Sequence, residues 1–432
     1  MSTTRGAAEH KRPPVSLRRR VEFYLALGGI AAMGPMSLDM VFPALPTVGR
    51  DLQVSTSAVL LTVSVYLLGL TVGQVVGPLS DVLGRRRPLL LGIALFITAS
   101  LVCALAPSVY VLGVARFAQG VAAAIGIVIS RAIIRDLSTG ADIARRYSTL
   151  FFVVAASAVV SPIVGTQVLR FTNWRGIFVV LFVIGVVLLA LIALRLPESL
   201  PVASRRPGSF RAIGSGYRLL ISDRRFLGYA IVVSCGGGTL TALVTDATFV
   251  VQDGFGATAQ TFAYVFSIGA LTVVCATLLN RRLLRTIDSR FLLLAGFAAN
   301  AAASLALLLL GRFTLAAFIP CFIVMFASWG FISANATAVA VEEHARVAGS
   351  ALALLGLMQY STGVLAAVLV GVVGDGSGLS LAVVVTLFSL SGLAVTLYTV
   401  RRDRNRQAGI GRSTAEAIHP MDDPRTAVMQ LP

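Results

Sequence analysis

The stretch Gly77-Pro-Leu-Ser-Asp-Val-Leu-Gly-Arg-Arg-Arg-Pro88 decides how this chain folds, because it sets a turn and an arginine cluster between two long apolar runs. Gly77 and Pro78 close the first run, Gly84 permits a tight reversal, and Arg85, Arg86 and Arg87 resist crossing a bilayer. A short loop this basic stays on the side where biosynthesis leaves positive charge, the cytoplasmic side. The orientation of every other apolar run follows from that loop.

Of the 432 residues, 56% are hydrophobic and 13% are charged. With a mean hydropathy of +0.86, the chain falls among polytopic membrane proteins. The formal charge of +17 invites a nucleic-acid reading. The arginines sit in short loops between apolar runs and make no continuous basic face, so no nucleic-acid partner is expected. Cys103, Cys235, Cys275 and Cys321 lie inside apolar runs without metal-ligand spacing and read as small hydrophobes. His10, His344 and His419 sit in a tail or a loop, which leaves no metal constellation and no intramembrane imidazole. The spans hold no nucleophile with a base and no paired carboxylates, and Gly236, Gly237 and Gly238 lack a Walker lysine. Neither an enzyme nor an ATPase is expected, and no cofactor beyond a proton gradient.

Apolar runs of about 20 residues, long enough to span at about 1.5 Å per residue, fall at 22–46, 56–79, 88–107, 109–134, 146–169 and 175–196. The first passes Asp39 into Pro-Ala-Leu-Pro46 without a cleavage pattern, so it reads as a retained helix and not a signal peptide. The longest polar interval follows, and six more runs fall at 226–251, 259–280, 290–311, 314–340, 346–373 and 379–400. The expected fold is therefore all-α, with twelve transmembrane helices in two six-helix halves. Residues 1–20 form a basic cytoplasmic tail, 21–197 the first bundle, 198–223 a cytoplasmic linker, 224–400 the second bundle and 401–432 a disordered cytoplasmic tail. Charge tests the count. Loops assigned inside carry Arg85 to Arg87, Arg131, Arg135, Arg145, Arg146, the linker arginines, Arg281, Arg282, Arg285, Arg290 and Arg346, whereas those outside carry only Arg50, Arg170, Arg175 and Arg312. Both termini are then cytoplasmic. Two halves of this kind are the layout of a transporter that rocks around a midplane site. Asp39-Met-Val-Phe42 and Asp246-Ala-Thr-Phe249, near the outer ends of spans one and seven, are a possible trace of the repeat.

Three ionisable groups lie within the spans: Asp39, Arg116 and Asp246. Each costs at least about 2.5–3.5 kcal/mol on insertion scales, so each faces a partner, a cavity or water. Asp39 and Arg116 both sit roughly 10 Å below the outer surface at about 1.5 Å per residue, on spans one and four, and are expected to pair. One reading is a static salt bridge; the other is a carboxylate whose proton occupancy changes as water or substrate arrives. Intramembrane charge favours the second.

Gly77, Asp81, Gly84, Arg85 and Arg86 match G-x-L-x-D-x-x-G-R-R/K, the loop signature between helices two and three of the major facilitator superfamily, and the chain resembles that family. Leu112-Gly-Val-Ala-Arg116-Phe-Ala-Gln119-Gly120 resembles its helix-four signature, whose arginine is implicated in proton coupling. Ser161-Pro162-Ile-Val-Gly165-Thr166 keeps the proline and one glycine of the antiporter signature in helix five; Ser161 and Thr166 replace two glycines. Asp39-Met-Val-Phe-Pro-Ala-Leu-Pro46, Tyr66-Leu-Leu-Gly69, Gly73-Gln74, Asn173-Trp174-Arg175, Asn335-Ala-Thr-Ala338 and Ala348-Gly-Ser-Ala351 are similar to the Bcr/CflA type of bacterial drug exporters.

The resemblance implies a monomeric antiporter in the bacterial plasma membrane that exchanges small drug-like compounds for protons, with Asp39 and Arg116 coupling the proton. The alternatives are a proton symporter or an exporter of metabolites. It also implies that Asp81 locks against the start of helix eleven near Arg346, with Arg131 as a second partner, and that Pro162 and Gly165 make a bend. Tyr66, Gln74, Asn335, Gln359 and Tyr360 either line a cavity or bond between helices, and Gln119 is a further candidate for the cavity lining. Asp246 stands where the family pattern has a small residue. It is either a selectivity or second proton site, or a carboxylate snorkelling to the membrane edge.

Overall fold

The computed structural model describes residues 17–74, 76–138, 141–200, 217–311, 314–344, 348–373 and 378–418. Among them, twelve helices are long and apolar enough to cross a membrane. They are α1 (Leu17–Asp39), α2 (Thr56–Gly73), α3 (Arg86–Ala104), α4 (Val109–Asp136), α5 (Ala141–Phe171) and α6 (Trp174–Arg195), followed by α7 (Arg224–Phe249), α8 (Ala259–Leu283), α9 (Ser289–Ala306), α10 (Leu315–Val341), α11 (Ala348–Val373) and α12 (Leu379–Ile418). Seven of them start where a side chain can cap them. Ser55, Ser108, Asn173, Asp223, Thr258, Asp288 and Thr314 each accept a backbone N–H from the first turn, which satisfies a donor that has no partner within its helix.

Three helices depart from the expected spans at prolines, glycines and apolar limits. The second stops at Gly73, and a separate short helix, Val76–Leu83, carries Gly77, Pro78 and Asp81, so Gly77 and Pro78 do not close the run as expected. The first does not run unbroken to residue 46: α1 stops at Asp39, and a 3-10 turn over Phe42–Ala44 leads into a short helix, Leu45–Leu52. Pro43 and Pro46 have no N–H, so the carbonyls of Asp39 and Phe42 lose the partners that an α-helix would give them. The last helix does not stop at 400. α12 continues to Ile418, carrying Asp403 into a charge cluster described below, while residues 419–432 lie outside the described residues.

The internal repeat is written in the packing. In the first half α1 packs on α4 and α5, α2 on α4, and α3 on α4 and α6; in the second α7 packs on α10 and α11, α8 on α10, and α9 on α10 and α12. The halves meet where α2 runs along α11 and α5 along α8. The tightest crossing is α2 with α4. A Cβ on Gly69 would collide with the carbonyl oxygen of Phe117, and one on Gly120 with that of Tyr66; Gly73 sits equally close to Ala124. Small residues every fourth position let the two backbones touch, as membrane helices without a hydrophobic drive require.

Candidate functional site

That crossing assembles the site. Tyr66 lies one turn before Gly69 and Arg116 one turn before Gly120, so the two side chains share the contact. The Arg116 guanidinium stacks 4.1 Å from the centre of the Tyr66 ring, and both residues are fully buried. Arg116 Nη1 donates to the Ser37 carbonyl at 2.9 Å and to Gln119 Oε1 at 2.6 Å. Gln119 Nε2 donates in turn to the Ser100 hydroxyl at 2.8 Å. The Tyr66 and Ser37 hydroxyls lie 2.7 Å apart, and both reach the Gly34 carbonyl, at 2.8 and 3.0 Å. Four helices are joined by one buried polar network.

The expected ion pair between Asp39 and Arg116 is absent. No hydrogen bond or ion pair among the described residues reaches the buried Asp39 carboxylate; Arg116 uses Nη1 for Ser37 and Gln119 and stacks on the Tyr66 ring, while its buried Nη2 makes no hydrogen bond among the described residues. The reason is the helix break. The Val41 N–H turns back to Leu38 at 3.1 Å, so the Ser37 carbonyl is left without an intrahelical donor. A cation at a helix C-terminus also meets the negative end of the backbone dipole, which makes that carbonyl a strong competitor for the guanidinium. Asp39 and Tyr360 remain electrostatic neighbours of Tyr66. Gly165 closes the site from α5, where a Cβ would collide with the Met40 carbonyl just past the break. Around Pro162, Ser161 and Thr166 bond to their own helix, at the Ser157 and Ile163 carbonyls.

The other expected residues divide. Gln74 ends α2 half-buried; Gln359 is half-buried against Gly237, and Tyr360 beside it is half-buried too. Gln119 lines no cavity, since both ends of its amide are used inside the first half. Asn335 pairs with Asn280 at 2.8 Å, and both are buried. Asp246 does not snorkel: it is 2% exposed. Thr248 on the same helix bonds to Phe42 of the first half, and two residues rotate an α-helix by roughly 200°. Asp246 and Thr248 therefore lie on different faces of α7. Asn335→Ala is expected to cost roughly 1 kcal/mol without changing which compounds are carried, because Asn280 loses its partner. Thermal unfolding in detergent beside a transport profile checks both parts.

At the arginine-rich end, Gly84 takes a φ of 88°, the left-handed turn expected of it. Arg85 bonds to Asp136 at 2.8 Å, to Asp81 at 2.5 Å and to the Ser80 hydroxyl at 2.6 Å. Burial works against its charge, but Asp136 and Asp81 outweigh burial and hold its pKa above the ordinary arginine value. Asp81 reaches Arg135 at 3.9 Å and not Arg131, whose guanidinium lies exposed over the Phe151 ring, a turn away on α4. Arg346, its expected partner on helix eleven, lies outside the described residues. Glu198, just beyond α6, accepts the backbone N–H groups of Arg85 and Arg86 at 2.8 and 3.3 Å, and Arg86 Nη2 donates to the Ala193 carbonyl.

Sequence reasoning missed Glu198, Ser37 and Ser100. Its signal for Glu198 was a lone acid after Leu196-Pro197 in a basic interval. The second half repeats the arrangement. Arg290 at the start of α9 bonds to Glu342 beyond α10 at 3.1 Å and to Asp403 on α12 at 3.3 Å, as Arg85 before α3 holds Asp136 of α4 while Glu198 after α6 closes over it. Arg225 joins Glu342, Glu343 and Asp403 as well. Among the described residues, every ion pair at this end stays within one half or its linker.

The comparisons with known proteins agree with this architecture. An uncharacterised MFS-type transporter, YdgK, of Bacillus subtilis is 37% identical over 360 residues, covering 82% of this chain and 90% of the relative. A bicyclomycin resistance protein homologue of Haemophilus influenzae is 30% identical over 347 residues, 79% of this chain and 86% of the relative. In fold, the chain is similar to a bacterial homologue of the human lysosomal transporter Spinster, solved inward-facing and occupied, with a TM-score of 0.74 at 14% identity over 90% of this chain and 98% of that one. The family model described as Major Facilitator Superfamily matches residues 27–367. The chain belongs to the Major Facilitator Superfamily of transporters.

Proposed function

We propose that the protein is a proton-coupled exporter of small drug-like compounds, of the Bcr/CflA type, working as a monomer by alternating access in the bacterial plasma membrane. The observation that carries the reading is Asp39, a buried carboxylate without a cationic partner, at a break in α1 beside the Arg116 network. The similarity to a bicyclomycin resistance homologue supports the substrate class. The arginine-rich end is read as cytoplasmic, with both termini on that side. Hydrogen bonds between the halves then lie toward the outer face.

The chemistry follows from burial. An ionised Asp39 favours the state in which water reaches it, because Arg116 forms no ion pair with it. A proton removes the charge and favours the state that buries the break. Substrate and proton need only differ in their affinity for the two states to be exchanged. The test is susceptibility across a compound panel in an efflux-deficient host, with and without a protonophore. Protection that vanishes with the protonophore is expected. Protection that survives it excludes proton coupling, and cellular accumulation of a compound favours the symport alternative.

A further inference from the structure

The prolines that break α1 leave a second feature unused by the proton scheme. Pro46 has no N–H for the Phe42 carbonyl, which is left with only a weaker i+3 partner, Leu45. Two side chains of the other half reach this turn. Thr248 Oγ1 donates to the Phe42 carbonyl at 2.8 Å, and Gln252 Nε2 donates to the Pro43 carbonyl at 2.9 Å while bonding to Thr248 Oγ1 at 2.8 Å. Gln252 stands in a π-helical turn over Val250–Gly254 that continues α7. Such wide turns are often found where a helix has a task other than packing.

Around this fork the contact is mostly apolar, with Arg50 and Asp253 lining a pocket beside it. Thr248 and Phe42 are buried, and the Phe42 ring lies 6.0 Å from that of Phe266 on α8. Gln167 with Gln260 at 3.2 Å and Ser267 with the Val159 carbonyl at 2.7 Å complete the side-chain hydrogen bonds between halves among the described residues. The arginine-rich ends are instead tied within each half. Among the described residues, the side-chain bonds between the halves are thus uncharged, and the Thr248–Gln252 fork is the one on the turn that follows Asp39.

The geometry points to Thr248 and Gln252 as the gating pair of this transporter: a latch on the Phe42 carbonyl, whose i+4 donor Pro46 removes, and on the neighbouring Pro43 carbonyl, which must release before the end opposite the arginines can open. They are positioning residues, touching neither proton nor substrate. Asp39 lies three residues before Phe42 on the same broken helix, so a charge change at Asp39 and release of the latch act on one element.

The proposal deepens the exporter reading, and its test needs neither proton nor substrate, nor a choice of which end is outside. In purified protein with the four native cysteines changed to alanine, Ala44→Cys places a buried thiol under the latch. Its rate of reaction with a maleimide reports opening. Gln252→Leu and Thr248→Val are each expected to raise that rate about fivefold per lost hydrogen bond. Gln252→Glu, which keeps length but replaces the donor by an acceptor, is expected to raise it at least as much, whereas a packing role alone would leave it unchanged. A variant that elutes as aggregate is set aside, and the remaining ones carry the same test. Equal labelling rates in the folded variants overturn the latch while leaving the exporter reading standing; loss of protonophore sensitivity in cells with faster labelling here does the reverse.

Discussion

Asp39→Asn is expected to return cells to the drug susceptibility of cells without the protein, while the variant inserts and purifies normally. Asparagine has nearly the same volume, and no ion pair is lost with the carboxylate, so packing around the break is preserved. What disappears is the buried carboxylate at the break, the group that can take up and release a proton. Under the proposed cycle, exchange of substrate across the membrane down its own gradient continues, but uphill export stops. Susceptibility assays beside size-exclusion profiles and counterflow measurements separate these outcomes. Had the sequence expectation of an Asp39–Arg116 salt bridge held, the same substitution would also have left a buried arginine uncompensated, with a destabilisation of several kcal/mol. The structure expects close to none.

Gly120→Val is expected to fail at the level of folding. Its Cβ would meet the Tyr66 carbonyl oxygen, which is backbone and cannot rotate away, so α2 and α4 must separate along the contact that also aligns Tyr66 with Arg116. Overpacking a side chain costs typically about 1–3 kcal/mol and more where only backbone can yield. The separation would further strand the Arg116 guanidinium. Little monodisperse protein should be recovered. Gly113→Val on the same helix, where a Cβ meets nothing within 4 Å, is the control and should purify like the parent. Equal yields from the two variants would show that the close crossing is not what holds the site.

The spans were legible because lipid solvation makes apolar length the dominant signal, and side-chain caps mark their starts. The arginine loop was legible for the same reason, since charge cannot hide. The partner of Arg116 was not, because a backbone carbonyl carries no residue label; Pro43 and Pro46 were the available clue that carbonyls near Asp39 would be free. The burial of Asp246 was not legible, because a carboxylate near a span end reads equally as snorkelling or enclosed until its neighbours are placed. Asn335 was read as equally cavity or glue and Gln119 as cavity lining, and only the distances to Asn280 and Ser100 show both bonded between helices. The repeat was sought in four residues near spans one and seven. It lies instead in helix pairings and in the matched arginine–carboxylate clusters of Arg85 and Arg290, whose acids come from scattered helix ends. Asp403 was hidden because hydropathy falls near residue 400 although the helix does not end there.

The proton coupling proposed for Asp39 is tested most directly in everted membrane vesicles energised by respiration, with a dye whose fluorescence is quenched by the pH gradient. Adding a compound from the panel that the protein exports should relieve the quench with the parent chain and leave it intact with Asp39→Asn. Relief of equal size from the Asp39→Asn vesicles would contradict the assignment of the proton to this residue.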